Sequence, residues 1–235
     1  MYLIKNIEVF GDSILKGIQV NSNSLKYHVE NHIDTEAISG RYSVSIVNNS
    51  KFGCTVTKGL SILKKRLEHG ISFDAAIMDF GGNDCDMDWR AISDNPYQEH
   101  LPKTTIHVFI STYKELVSLL QNNGVLPILT TLPPLEPQRF FDWFCGKLNK
   151  ENILKWLGDV IAIYRHQENY SRAIERIALD CNVPIVDLRG AFLQHRRIKH
   201  LLCEDGTHPN TEGQKVITDA FLTFAENVAH TPSIR

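Results

Sequence analysis

Two short segments at opposite ends of the chain contain the residue types needed for nucleophilic catalysis. Ser13 ends the segment Gly11-Asp12-Ser13, and His208 follows Asp205 by three residues. A histidine can take the proton of a serine hydroxyl, and an aspartate can hold that histidine in the required tautomer. Because Asp205 and His208 are close in sequence, one loop can present both. Each segment alone has a structural explanation, since Asp-Ser is a common helix N-cap and a histidine before proline is usually a loop residue.

Two further clusters could bind the negative charge that develops when such a serine attacks a carbonyl group. Gly53 has a backbone N–H that no side chain obstructs, and Asn83 follows two glycines with an amide that can donate. Losing one such donor typically lowers the rate by roughly 10²–10³. The alternatives are an ordinary turn at Gly53 and an Asx-turn at Asn83. A helix expected after Ser13 would direct its positive end at the same charge.

Strands and helices alternate along the sequence and must position these clusters. Short apolar runs predict five strands, at residues 4–10, 43–47, 75–80, 125–130 and 184–188. Apolar residues recur every three or four positions between them, which predicts helices within 56–67, 106–120, 160–177 and 217–228. Alternating βα units predict a three-layer α/β/α domain with a parallel sheet. In such sheets the active site lies at the carboxyl ends of the strands, and Ser13, Gly53 and Asn83 each follow a predicted strand.

Two segments do not fit this alternation. Residues 14–40 include a polar stretch from Asn21 to Ser24 and have no assignable pattern. Residues 132–158 are rich in proline and aromatic residues. We interpret them as a helical, aromatic-rich insertion within a single domain spanning residues 1–235, since the sequence has no repeat or linker. Trp143 and Trp156 could line a pocket for an acyl group or a sugar, or could form the core of the insertion.

The composition is that of an ordinary globular protein and argues against several function classes. The chain has 235 residues, of which 43% are hydrophobic and 22% charged, with a net charge of −2. No broad positive field is available to attract nucleic acid, and we interpret the basic run from His195 to His200 as a solvated loop. No stretch is long and apolar enough to span a membrane, and residues 1–10 are too short and too charged for a secretory signal. We therefore expect a cytoplasmic protein.

The five cysteines form no recognisable framework. Their odd number and the absence of Cys-x-x-Cys spacing argue against both a disulfide scaffold and a zinc ribbon. A metal site at Cys203, Asp205 and His208 would lack a second group of ligands, so we expect neither a metal nor a cofactor. Nothing in the sequence marks a surface for self-association.

The ordered set of motifs resembles the four sequence blocks of the GDSL (SGNH) hydrolase family. Gly-Asp-Ser near the N-terminus is followed by a central glycine, a Gly-x-Asn-Asp motif and a C-terminal Asp-x-x-His, and the resemblance extends from Phe10 to Asn210. The Asp-Gly-Thr-His-Pro-Asn segment is its most specific part. One departure is Ile14, where the family motif has leucine, a change that leaves the chemistry unaffected. A second is the length of segment 132–158, which bears on the substrate.

The resemblance implies a role for each motif residue. It implies that Ser13 is the nucleophile, His208 the general base and Asp205 its partner. It implies that the N–H groups of Ser13 and Gly53 and the side chain of Asn83 form the oxyanion hole. It also implies a flavodoxin-like sheet of five parallel strands. The absence of Gly-x-Ser-x-Gly argues against an α/β-hydrolase of the nucleophile-elbow type.

These observations together predict a serine esterase that cleaves carboxylic esters through an acyl-enzyme. The expected partner is a small-molecule substrate, namely a short-chain ester or an O-acetylated carbohydrate. Lysophospholipase or thioesterase activity and acyl transfer to an alcohol are the alternatives within the class, and a non-catalytic binding module is the alternative outside it. Asp12, Asp84 and Trp143 are the candidate substrate-binding residues.

Overall fold

The computed structural model describes residues 4–70 and 72–230, so both ends of the predicted domain 1–235 lie partly outside the described residues. Its strands, in chain order, are β1 (Asn6–Gly11), β2 (Ile18–Val20), β3 (Tyr27–Val29), β4 (Ser45–Asn48), β5 (Ala75–Asp79), β6 (Leu126–Thr130) and β7 (Ile185–Val186). Its α-helices are α1 (Thr35–Tyr42), α2 (Val56–Glu68), α3 (Trp89–Asp94), α4 (Ile106–Asn122), α5 (Pro137–Cys145), α6 (Lys150–Leu157), α7 (Ile161–Cys181), α8 (Leu188–Leu193) and α9 (Thr211–His230).

Five of the strands form a parallel sheet in the order β4-β1-β5-β6-β7. From β1 the chain crosses to β4, at one edge of the sheet. It then returns to β5, on the other side of β1, and β6 and β7 follow on that side. Connections therefore leave β1 and β5 on opposite faces, which opens a crevice at the carboxyl ends of these two strands. The predicted α/β class, with a five-stranded parallel flavodoxin-like sheet, is confirmed.

Helices cover both faces of this sheet because successive side chains of a strand point to opposite faces. On β5, Ala76 and Met78 pack with α2, α4 and α7, whereas Ala75 and Ile77 pack with α8 and α9. All five residues of β5 are buried, as expected for a central strand of a parallel sheet. The four segments with helical periodicity are helices α2, α4, α7 and α9.

The fifth strand is shorter than the sequence predicts. The prediction of residues 184–188 is wrong at its end, because β7 stops at Val186 and α8 begins at Leu188. The Asp187 carboxylate accepts a hydrogen bond from the N–H of Gly190, which is an N-cap that starts the helix. The side-chain cap thus starts a helix where the apolar pattern predicts the end of a strand.

The unassigned segment 14–40 contains a small antiparallel hairpin, β2–β3, followed by α1. The polar stretch is the turn of this hairpin. The Asn21 side-chain oxygen accepts hydrogen bonds from the N–H groups of Asn23 and Ser24, a local arrangement that favours a turn. The hairpin lies outside the central sheet, so the alternation of strands and helices could not reveal it.

The segment 132–158 contains helices α5 and α6, which pack with α3 around a separate hydrophobic cluster. Phe141, Cys145 and Ile153 are buried at its centre, and Trp89 stacks on Phe144 at 4.0 Å between ring centroids. This helical cluster, formed by α3, α5 and α6, follows the carboxyl ends of β5 and β6. In the part of the chain that the structure describes, no helix has the length and apolar character required to cross a membrane.

Candidate active site

Ser13 lies immediately beyond the carboxyl end of β1. The N–H of Asp12 donates to the carbonyl oxygen of Asp79 at 3.1 Å, and the Asp12 carboxylate accepts from the N–H of Ile14 at 2.8 Å. The backbone is therefore fixed on both sides of the serine. The helix predicted after Ser13 is wrong: residues 13–17 form turns that lead into β2. The bond from the Asp12 carboxylate to the N–H of Ile14 is the local arrangement found in Asx-turns.

Ser13, His208 and Asp205 form a continuous chain of short contacts. The His208 Nε2 lies 2.8 Å from the Ser13 Oγ, and its Nδ1 lies 2.5 Å from Asp205 Oδ2. All three side chains are buried, with only 6% of Ser13 and 8% of His208 exposed. The structure thus brings together two segments that are 195 residues apart. With Nδ1–H donating to Asp205, the Nε2 lone pair faces the serine hydroxyl, as a general base requires.

Asp205 is held as a carboxylate by its surroundings. Burial opposes its ionisation, but the hydrogen bond from His208 and those from the N–H groups of Thr207 and His208 outweigh this effect, so its pKa lies below the usual value. The loop that carries these residues requires Gly206. That residue has a φ of +71°, and a Cβ there would lie 2.7 Å from the carbonyl oxygen of Glu136.

Three residues that could donate hydrogen bonds line one cavity. They are Ser13 and Gly53, each with a backbone N–H, and Asn83, with its side-chain amide. Gly53 has a φ of +69° in the loop between β4 and α2, a conformation that glycine adopts readily. Asn83 follows β5, and its Nδ2 donates to Asp12 Oδ2 at 2.9 Å. One of its two amide N–H bonds is used in this way, which leaves the other available to a ligand.

Three buried carboxylates, those of Asp12, Asp79 and Asp84, lie close enough together for their charges to interact. Burial, followed by the negative charge of Asp79, raises the pKa of Asp12 well above its usual value. Burial likewise raises the pKa of Asp79 to about 6, opposed by the hydrogen bond from Thr130 at 2.9 Å. Asp12 lines the cavity, but both of its oxygens already accept hydrogen bonds from the protein. The hydrogen bond to Asn83 therefore occupies the oxygen that the predicted substrate-binding role of Asp12 would use.

Asp84 does not lie at the cavity, so its placement does not support substrate binding. Its side chain is fully buried, and its two oxygens lie 3.1 and 3.0 Å from the N–H of Val56, the first residue of α2. Burial raises its pKa to about 6, opposed by the hydroxyl of Thr104 and the N–H of Val56. Asp84 thus caps a helix by reaching across from the next strand, a structural role that the motif alone did not indicate.

The cavity beside Ser13 has a volume of about 510 Å³. It extends from the serine to the helical cluster, and most of its wall is aromatic or aliphatic, including Met87, Trp89, Leu135, Phe140, Trp156 and Ile163. Its polar lining includes an ion pair that joins Lys103 to Asp86 at 2.8 Å. A volume and wall of this kind are typical of small-molecule sites.

Trp143 is not part of this wall, unlike Trp156. Its Nε1 donates to the hydroxyl of Tyr27 at 2.8 Å, and the two rings meet edge to face with centroids 5.9 Å apart. Its placement outside the cavity wall and its contact with Tyr27 do not support the predicted substrate contact of Trp143. Tyr27 itself lines the cavity and was missed, since the hairpin that carries it had no pattern in the sequence.

The predicted metal alternative at Cys203, Asp205 and His208 can be compared with the grouping of potential ligands in the described residues. Within 4–70 and 72–230, no three or more histidine, cysteine, aspartate or glutamate side chains are grouped so that they could hold a metal ion. The thiol of Cys203 lies in a buried setting that raises its pKa to about 11, because burial disfavours the thiolate that binds metals.

Comparison with known proteins finds a matching family model and several solved structures with a similar fold. The model of the GDSL-like Lipase/Acylhydrolase family matches residues 9–216. A lipase/acylhydrolase from Enterococcus faecalis has a TM-score of 0.67 and 17% identity over 96% of this chain and 97% of that one. An acetylxylan esterase from Geobacillus stearothermophilus has a TM-score of 0.65 and 19% identity over 93% of each chain. The esterase EstA from Pseudoalteromonas sp. has a TM-score of 0.62 and 15% identity, covering 97% of this chain and 100% of that one.

These structural relatives share the fold at identities too low to transfer a substrate. A search of curated proteins finds no match.

Proposed function

Since the chain belongs to the GDSL-like lipase/acylhydrolase family and is a carboxylic ester hydrolase, we propose that Ser13, His208 and Asp205 carry its chemistry through an acyl-enzyme. The observation that carries this proposal is the chain of contacts at 2.8 and 2.5 Å from Ser13 through His208 to Asp205. Nucleophile, base and orienting carboxylate are arranged as in other serine hydrolases.

Acylation begins when the Ser13 Oγ attacks the ester carbonyl carbon and His208 Nε2 takes the hydroxyl proton. The carbonyl oxygen becomes an oxyanion that accepts hydrogen bonds from Asn83 and from the N–H groups of Gly53 and Ser13. The intermediate collapses with loss of the alcohol, which leaves with the proton from His208. A water molecule then repeats the sequence on the acyl-enzyme, releasing the carboxylic acid and restoring Ser13.

The proposed substrate is a short-chain ester, with an acetyl group on a sugar or a comparable bulky alcohol as the best candidate. An acetyl group fills only a small part of a cavity of about 510 Å³, so the alcohol must occupy much of the rest. Indole rings such as Trp156 present flat faces on which a sugar ring can pack, and the Asp86–Lys103 pair supplies hydrogen-bonding groups beside them.

A longer acyl chain is the second candidate, and a different part of the cavity favours it. The aliphatic side chains of Met87, Leu135 and Ile163 form a continuous apolar surface with the aromatic rings. Burying each methylene of an acyl chain against such a surface stabilises the complex by about 0.8 kcal/mol. An enzyme using the cavity in this way would prefer medium or long acyl groups.

The first experiment measures hydrolysis of p-nitrophenyl esters from acetate to decanoate and of an acetylated xylo-oligosaccharide. We expect Ser13→Ala to abolish activity on all of them. Ser61→Ala, at an exposed position of helix α2, should leave activity intact. Retained wild-type activity in Ser13→Ala contradicts the proposed mechanism.

The same series separates the two substrates. Rates that fall with chain length, together with release of acetate from the oligosaccharide, support the acetyl ester. Rates that rise with chain length support the longer acyl group instead. Chromatography of the products with and without an added sugar acceptor tests acyl transfer to an alcohol, since the same three residues would serve both reactions.

A further inference from the structure

Two aromatic rings cover the imidazole of His208. The ring of Tyr27 lies 5.2 Å from it between centroids, tilted by 59°, and that of Phe52 lies 6.3 Å away and nearly parallel, at 9°. The two rings also contact each other at 5.4 Å. Tyr27 is 42% exposed and Phe52 is 52% exposed, so both stand at the mouth of the site. The burial of His208 therefore depends on side chains that are themselves at the surface.

Tyr27 is attached to a second part of the structure through Trp143. It belongs to the β2–β3 hairpin, whose strands have three residues each, and a hairpin of this size has little stability of its own. The Trp143 Nε1 donates to the Tyr27 hydroxyl at 2.8 Å from helix α5, and the rings pack edge to face. This contact fixes the hairpin against the helical cluster next to the active site.

The Tyr27 hydroxyl also interacts with Asp205. Burial and then the negative charge of Asp205 raise the pKa of Tyr27, so the phenol keeps its proton. A neutral phenol can accept from Trp143 and donate toward a carboxylate at the same time. Tyr27 thus contacts His208 with its ring, and its hydroxyl is close enough to Asp205 for that negative charge to raise its pKa.

We propose that Tyr27 is a positioning residue that keeps the His208 imidazole in the orientation that reaches Ser13, and that Trp143 keeps Tyr27 in place. The inference rests on the proposed roles of Ser13, His208 and Asp205. A single bond from Nδ1 to Asp205 leaves the imidazole free to tilt about that bond. The tilted ring of Tyr27, in contact with the imidazole at 5.2 Å between centroids, limits this freedom, and small displacements of a catalytic base are costly in rate.

The test compares Tyr27→Phe, Trp143→Phe and the double variant with wild type, using p-nitrophenyl acetate. Rates are divided by the amount of Ser13 that a fluorophosphonate labels at completion, so that misfolded protein does not count. Each single variant removes one side of one hydrogen bond and should lower kcat about 3- to 10-fold, with KM within about twofold. The double variant should be no slower than the slower single variant, because both remove the same contact.

Tyr97→Phe is the matched control, since Tyr97 is 78% exposed and contacts Lys155 outside the cavity. It should leave kcat and KM unchanged. If the fold-decreases in kcat of the two single variants multiply in the double variant, Trp143 does not act through Tyr27, and that part of the proposal is overturned. A rise in KM with kcat unchanged would make Tyr27 a substrate contact and overturn positioning. Either failure is distinguishable from failure of the proposed function, which would appear as activity in Ser13→Ala.

Discussion

Replacing Asp12 by asparagine should disable the oxyanion hole without altering the shape of the site. The two oxygens of Asp12 accept from opposite sides, one from the N–H of Ile14 at 2.8 Å and the other from Asn83 Nδ2 at 2.9 Å. Asparagine has the same shape but only one acceptor oxygen. That oxygen can keep only one of the two contacts. At the other, the amide N–H of the new side chain faces the N–H of Ile14 or Asn83, and two donors cannot form a hydrogen bond.

The size of the effect follows from which contact survives. The N–H of Ile14 is held by the backbone, so the oxygen should stay there and the new amide group should face Asn83. Asn83 can then form a hydrogen bond only by turning its amide over, which places its carbonyl oxygen where an N–H had been available to the substrate. Losing one oxyanion donor lowers kcat by roughly 10²–10³, which corresponds to about 3–4 kcal/mol. KM should change little, because the oxyanion exists only in the transition state and intermediate.

The assay is kcat and KM of Asp12→Asn with p-nitrophenyl acetate, per equivalent of labelled Ser13. Asn83→Ala should lower kcat by about the same factor. The double variant should have a kcat no lower than that of either single variant. Asp34→Asn, at the N-cap of α1, is the control, since asparagine caps as well as aspartate. Activity of Asp12→Asn within about threefold of wild type would refute this account of the site.

Three further predictions concern other residues around the site. Asp84→Ala should lower the free energy of unfolding by about 1–2 kcal/mol, through loss of the cap on Val56, and leave KM unchanged; thermal unfolding and steady-state kinetics test this. Because the folded-state pKa of Asp79, about 6, lies above its ordinary 3.8, its contribution to stability is full below pH 3.8 and is lost as the pH rises through 6. The free energy of unfolding of Asp79→Asn, relative to that of wild type, should therefore rise by up to about 3 kcal/mol between pH 4 and 7. Denaturant titrations measure this difference, and equal pH profiles of the two proteins would contradict the prediction. Trp156→Ala should raise KM about tenfold for the preferred bulky substrate and hardly at all for p-nitrophenyl acetate; an equal change for both would exclude Trp156 from substrate binding.

Local patterns in the sequence were sufficient for the fold class and for the motif residues. Apolar runs and helical periodicity depend on residues close together in the chain, so they predicted the parallel sheet and helices α2, α4, α7 and α9. The rule that sites form at the carboxyl ends of parallel strands predicted that Ser13, Gly53 and Asn83 lie together. Where a side chain competed with the pattern, as Asp187 does at the end of β7, the prediction missed the boundary.

Contacts between residues distant in sequence were decided only by the tertiary structure. Asp12 and Asn83 are 71 residues apart, and Tyr27 and Trp143 are 116 apart, so no periodicity links either pair. For the same reason, residue type suggested that Asp84 and Trp143 bind substrate, whereas packing assigns one to a helix cap and the other to Tyr27. The sheet and the ordered set of reactive residue types could be predicted from the sequence, because both are encoded by local spacing. The cavity, the partners of its carboxylates and the aromatic cover over His208 came from packing, because each exists only when remote segments meet.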